Sequence, residues 1–226
     1  MSRSNSRTLY ASVFAALCAV TWTSAPQAAG DPREIPGYPI DVKAHDAREV
    51  ALLPGYCKYT QTFRDNVPGG NNPAEIKRWY DIQGPVFHAM HHYCWGLMYM
   101  RRSTLVSNRQ GREYYLNTAI AEFDYVIDRA PADFVLLPEI FWKKGDVLIR
   151  LGKGPAGAKA LMQAIELKPD YWPPYISLGD YYRDAGNISG AREILKTGLS
   201  HSPKAKPLQR RLAELDAGRR GTQRKP

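Results

Sequence analysis

Tyr175-Ile176-Ser177-Leu178-Gly179-Asp180-Tyr181-Tyr182, followed by Ala191, Leu195 and Pro203, is the stretch on which the reading of the fold turns. Within it Tyr175, Leu178, Gly179, Tyr182, Ala191, Leu195 and Pro203 fall at intervals of three, one, three, nine, four and eight residues. A period of 34 residues earlier (203 − 169 = 34), Phe141, Lys144, Gly145, Leu148, Gly157, Leu161 and Pro169 hold the same slots. The physics of these slots is that of a helical hairpin. Gly179 and Gly145 let two helices approach where a side chain would clash. Tyr182 and Leu148 lie three residues on, along the same helix face. Ala191 and Gly157 are small where the second helix crosses the first. Pro203 and Pro169 cannot continue a helix and so end each unit. One such unit cannot bury its apolar face alone, so neighbours must stack.

An altered unit lies upstream. Ala119, Phe123 and Pro131 repeat the intervals of four and eight, and Gly96 and Tyr99, behind Trp95, fit the first helix. Gly96 to Ala119 is 23 residues, against 12 in the later units (191 − 179 and 157 − 145), an excess of 11. That excess is about three helical turns. It predicts two lengthened helices with a polar turn near Ser107-Asn108-Arg109-Gln110-Gly111.

The pattern resembles the tetratricopeptide repeat, from about Gly84 to Ser202 and most clearly from Phe141 onward. Lys144 departs from it, in a slot that usually holds a large apolar residue. The resemblance implies an all-α fold, a solenoid of about three helical hairpins. It also implies a binding function, because in this family the first helix of each unit lines a concave groove. Carried over by position, the groove slots are Tyr93, Leu97 and Arg101 in the first unit, Trp142, Asp146 and Arg150 in the second, and Ile176, Asp180 and Asp184 in the third, with Arg183 at the edge. This set does not match the Lys- and Asn-rich clamp that some members use for a C-terminal carboxylate. A protein or peptide partner is the expectation, with Trp142 as anchor and Arg150 and Arg183 pairing its acids. The competing reading is that Trp142 covers the core at a repeat junction.

The ends differ in kind from the repeats. Arg3 and Arg7 precede a largely apolar run of 14 residues from Leu9 to Trp22, and Asp31 is the first acid. This layout predicts a secretory signal peptide over 1–29, with periplasmic export, since the run is too short to span a bilayer comfortably. Cys57 and Cys94 then remain, and in an oxidising compartment they predict one disulfide closing 37 residues (94 − 57). The formal charge of +9 falls to +7 without Arg3 and Arg7, and residues 203–226 hold eight cations and two acids, a net of +6. The remaining body is near +1 (7 − 6), so the basicity belongs to a tail and argues against a nucleic-acid partner. Residues 205–217 read as a capping helix with Leu208, Leu212 and Leu215 on one stripe, ended by Gly218. Residues 218–226 read as a disordered basic tail able to touch an anionic membrane surface.

Residues 30–84 show no repeat and read as an N-terminal helical and extended cap. Pro32, Pro36 and Pro39 predict extended chain. Asp46–Leu53 predicts a short helix, and Asn72-Pro73 with Glu75 a helix start that runs to Gly84-Pro85. His88, His91 and His92 crowd beside Cys94. On an ideal helix His88 and His92 share a face, so they form an alternative two-ligand metal or cofactor clip, short of a third ligand. The competing reading packs these imidazoles among aromatics. No Gly-x-Ser-x-Gly elbow, phosphate loop or haem attachment motif occurs. Glu139, Asp146, Asp180 and Asp184 on repeat helices read as solvated or partner-binding carboxylates. The expectation is therefore a non-enzymatic scaffold without a cofactor.

Overall fold

In the computed structural model residues 30–39 and 45–223 are described, with side chains as far as Ala217. The predicted signal peptide and the last three residues, Arg224 to Pro226, lie outside the described residues. The nine helices there are α1 (Ala47–Val50), α2 (Pro73–Gln83), α3 (Met90–Leu105), α4 (Arg109–Ile127), α5 (Leu137–Arg150), α6 (Gly154–Leu167), α7 (Pro173–Asp184), α8 (Ile188–His201) and α9 (Lys206–Gln223). Short 3-10 turns occupy Cys57–Tyr59 and Gly84–Ala89. No strand occurs among the described residues. None of their helices is long and apolar enough to cross a membrane.

Three hairpins stack in order: α3 with α4, α5 with α6, and α7 with α8. Each is closed by the same contact. A Cβ built on Gly145 would lie 2.7 Å from Leu161 Cγ, and one on Gly179 3.1 Å from Leu195. In the altered hairpin a Cβ on Gly96 would lie 2.3 Å from Phe123 Cε1. Leu161, Leu195 and Phe123 are buried, so the glycines are where the helices touch. The lengthening anticipated from the 11-residue excess is present: α3 has 16 residues and α4 has 19, against 14 in α5 and 12 in α7. Asn108 caps α4 by accepting from the Gly111 N–H at 2.7 Å. Lys144 fits its apolar slot because its ammonium reaches across to Asp124 of α4 at 2.5 Å.

α9 packs on α7 and α8 as α7 packs on α5 and α6, placing Leu208 and Leu215 over the last hairpin. It runs past Gly218 to Gln223, where the sequence reading ended it and began disorder. A glycine inside a helix costs about 1 kcal/mol relative to alanine, and the neighbouring arginines are good helix formers, so the glycine alone does not stop it.

The N-terminal segment lies on α3 and α4. Ile35, Val50, Tyr56, Cys57 and Phe63 join Tyr93, Trp95, Met98 and Tyr115 in one core. Tyr115 donates its hydroxyl to the Arg33 carbonyl at 2.9 Å, and Asn108 its amide to the Pro32 carbonyl at 2.9 Å. Cys57 and Cys94 form a disulfide across Cα atoms 5.8 Å apart. Asn72 caps α2, accepting from the Ala74 and Glu75 N–H groups. Gly84 ends that helix at φ 67°, a conformation that favours glycine.

Candidate functional site

The first helices of the hairpins, α3, α5 and α7, and then α9, stand side by side, linked by polar side chains. Tyr93 of α3 donates to Glu139 of α5 at 2.6 Å. Arg150 of α5 donates to the Ser103 hydroxyl of α3 at 2.5 Å. Trp142 of α5 donates to the Ser177 hydroxyl of α7 at 2.9 Å. The nearby Ser177 hydroxyl also favours the charged form of Asp146 on α5. Arg211 of α9 meets Asp180 of α7 at 3.1 Å. The ten groove residues expected from the repeat all fall on α3, α5 and α7, but in different roles.

Tyr93 is a correction. It is fully buried, with its hydroxyl committed to Glu139, so it belongs to the junction of α3 and α5 and presents nothing to a partner. Burial, and then Glu139, raise its pKa well above the usual phenol value. The slot faces inward because the N-terminal segment covers this end of α3, a contact that no repeat pattern announces. Trp142 is half-buried. Its N–H is committed to Ser177, its ring meets Tyr171 edge-on, and the Lys143 ammonium stands over it at 3.7 Å. It therefore staples α5 to α7, with part of its surface still open.

The charges divide the row into two ends. At α7, Arg183 pairs with Asp180 at 2.7 Å and with Asp184 at 2.8 Å, and Asp180 also receives Arg211. Burial raises the Asp180 carboxyl, against the pull of Arg211 and Arg183. These groups answer one another. Toward α3 the cations are less occupied. Arg150 has only neutral acceptors among the described residues, the Ser103 hydroxyl and the Met100 carbonyl at 3.5 Å. Burial lowers its pKa and that of Lys143, and neither is in an ion pair among the described residues. Arg101 is exposed. Arg101 and Lys143 share a cleft of about 380 Å³ with Leu52, Leu53 and Pro54 of the N-terminal segment and Leu97 of α3. Burial raises Asp146, opposed by Ser177, Lys143 and Arg150. Ile176 is half-buried at the next junction. Leu52, Leu53, Pro54 and Lys143 were absent from the sequence-derived set. The three N-terminal residues come from outside the repeat, and Lys143 lies beside a named groove slot.

The histidines do not form the clip that an ideal helix implies. His88 lies in the 3-10 turn before α3, which breaks the i, i+4 geometry, and its ring packs on Tyr80. His92 bonds Glu122 at 2.5 Å and stacks on Tyr125. His91 Nδ1 donates to the His88 carbonyl at 2.9 Å. Among the described residues no group of three or more His, Cys, Asp or Glu side chains is placed to hold a metal.

Two solved structures are similar in fold. TTC0263, a thermophilic TPR protein of Thermus thermophilus, is 16% identical, over 69% of this chain and 85% of that one, with a TM-score of 0.51. MamA is 19% identical, over 66% of this chain and 85% of that one, with a TM-score of 0.45. No protein-family model and no curated protein matches the chain. At this identity the likeness is one of fold: the chain has the helical-repeat architecture of a tetratricopeptide repeat protein.

Proposed function

We propose that this protein is a non-catalytic scaffold that holds a protein or peptide segment on the face formed by α3, α5 and α7. The observation that carries the reading is the asymmetry of charge on that face. Arg183 is already answered by Asp180 and Asp184, whereas the exposed Arg150 forms no ion pair among the described residues, donating to the Ser103 hydroxyl and the Met100 carbonyl and feeling Asp146 only at longer range. A guanidinium without a close carboxylate is open to a two-pronged bond from an incoming one, and Arg and Trp are residue types that concentrate binding energy. The contact therefore centres on Arg101, Lys143 and Arg150, with Trp142 at its edge.

We further propose export to the bacterial cell envelope. The apolar leader of the sequence and the Cys57–Cys94 bond support an oxidising compartment. The basic residues at the end of the chain are suited to an anionic membrane surface. The test is a crosslinking pull-down from envelope extracts, comparing the wild type with Arg101→Ala/Arg150→Ala and with Arg183→Ala. Loss of a specific partner in the first variant, with retention in the second, is expected. Equal capture by all three, from proteins of unchanged thermal midpoint, would remove the site from this face.

A further inference from the structure

A second cleft lies between the start of α4 and the end of α5, with a volume of about 470 Å³. Leu116, Leu151 and Gly152 line part of it, and its other lining residues are all charged: Arg109, Arg112, Glu113 and Arg150. Arg109 pairs with Glu113 at 2.6 Å, so those two charges cancel. Arg112 and Arg150 are in no ion pair among the described residues, and the cleft keeps a net charge of +2 (3 − 1). Asp146 acts on Arg150 only at longer range and does not line the cleft.

Both of these guanidiniums are held at the end of α3. Arg112 Nη1 donates to the Ser107 carbonyl at 2.9 Å, and Arg150 Nη2 to the Ser103 hydroxyl at 2.5 Å. The acceptors are neutral, so they position the two groups without discharging them, and both residues are exposed. The Arg112 side chain makes only that one bond among the described residues, which leaves most of its N–H donors for a ligand.

Local preference runs against this arrangement. Cations at the start of a helix oppose its dipole. Yet Arg109 and Arg112 both lie in the opening turn of α4, which holds no acid. The Arg109–Glu113 pair also runs in the weaker order, cation before acid. The stability of α4 alone does not call for these arginines. A cleft that gathers one sign of charge, in contrast, focuses the field and concentrates a counter-ion. A carboxylate, with a single charge, would leave half of the excess unmatched. A phosphate monoester carries about two negative charges near neutrality and presents three oxygens to guanidinium forks.

We infer that the cleft between α4 and α5 is a binding site for a phosphate monoester group, held by Arg112 and Arg150. It shares Arg150 with the face proposed above, whereas Arg112 and Glu113 belong to this cleft and not to that contact, so the two readings fail separately. The test uses methyl phosphate and dimethyl phosphate, which differ by one negative charge. Each is titrated into the full chain at about pH 7.5, where the monoester is mostly a dianion, and followed by the backbone amide signals of Leu151 and Gly152 in two-dimensional NMR. Saturable shifts are expected, with the monoester bound about fivefold tighter than the diester. Arg112→Gln should weaken methyl phosphate about fivefold, and Glu113→Gln should tighten it by a similar factor. Should Arg112→Gln not fold, the gain in Glu113→Gln decides. Soluble esters and phosphatidic acid both present this group, so sedimentation with phosphatidylcholine vesicles containing phosphatidic acid separates the sources. A loss in Arg112→Gln relative to the wild type supports a lipid phosphate, and equal sedimentation supports a soluble one. Absence of saturable shifts with methyl phosphate, equal binding of monoester and diester, or affinity unmoved by Arg112→Gln or by Glu113→Gln would each overturn the assignment.

Discussion

Arg102 of α3 and Glu49 of α1 meet as a two-pronged ion pair, Nε to Oε1 at 2.9 Å and Nη2 to Oε2 at 2.6 Å, and neither side chain is exposed. They are 53 residues apart in sequence. α1 has only four residues, too few to be stable alone, so this pair and Val50 hold it to the repeat. Removing two charges from water costs nearly as much as their attraction returns, so the pair sets where the N-terminal segment lies more than how stable the whole is.

Breaking the pair on one side should be far worse than replacing it. Glu49→Ala leaves the buried guanidinium without this carboxylate and should cost about 3–5 kcal/mol. Glu49→Leu with Arg102→Met should lie within about 1–2 kcal/mol of the wild type. Urea midpoints of the three proteins check this. A single substitution as mild as the double one would show that the pair does not hold the segment.

The three hairpin glycines should rank by the space each contact leaves. Gly96→Ala forces a methyl to 2.3 Å from the buried Phe123 ring. Gly145→Ala meets Leu161 at 2.7 Å and the Gly157 carbonyl oxygen at 3.0 Å, and Gly179→Ala meets Leu195 at 3.1 Å. The first should lose about 1–3 kcal/mol by overpacking, the second less, and the third least. Phe123→Leu should recover part of the Gly96→Ala loss, measured as a thermal midpoint in the double variant.

The Cys57–Cys94 bond ties the N-terminal segment to the first long helix, across a separation of 37 residues. A loop of that length is worth about 4 kcal/mol in the chain-entropy account. Reduction, or Cys57→Ser with Cys94→Ser, should therefore lower the thermal midpoint by on the order of 10 °C. No fall would mean that the reduced unfolded chain is already as restricted as the oxidised one.

The repeat was legible because its glycines and alternating large residues answer a local geometric need, the close crossing of two helices, which recurs at fixed spacing. The inserted 11 residues did not hide it, since Gly96 and Phe123 keep the same contact as Gly179 and Leu195. The row of first helices was legible for the same reason. What each side chain does there was not. Tyr93 is covered by a segment outside the repeat, and Arg183 is neutralised by Asp180 and Asp184, the first of which also receives Arg211 from α9. Nor did the chain announce Glu49 with Arg102, because pairs brought together by tertiary packing leave no periodic trace. The histidines misled through an assumed ideal helix, where Gly84 and Pro85 impose a tighter turn.

Acid should weaken the fold through His91 before it does so through most carboxylates. Burial, with His92 nearby, lowers the His91 pKa from 6.5 to about 4, while the His88 carbonyl and Glu122 oppose the shift. An unfolded chain takes up this proton as pH falls through about 6.5, and the folded chain only near 4. More protons are then bound by the unfolded state, so stability falls with pH across that window. His45, also lowered by burial, adds to the slope. Asp146 and Asp180, raised by burial, act in the opposite sense at the acidic end, since protonation there favours the fold. His91→Gln should therefore flatten the dependence between pH 6.5 and 4 without abolishing it. Urea unfolding at a series of pH values measures the slope directly, and an unchanged slope in the variant would mean that His91 is as easily protonated folded as unfolded.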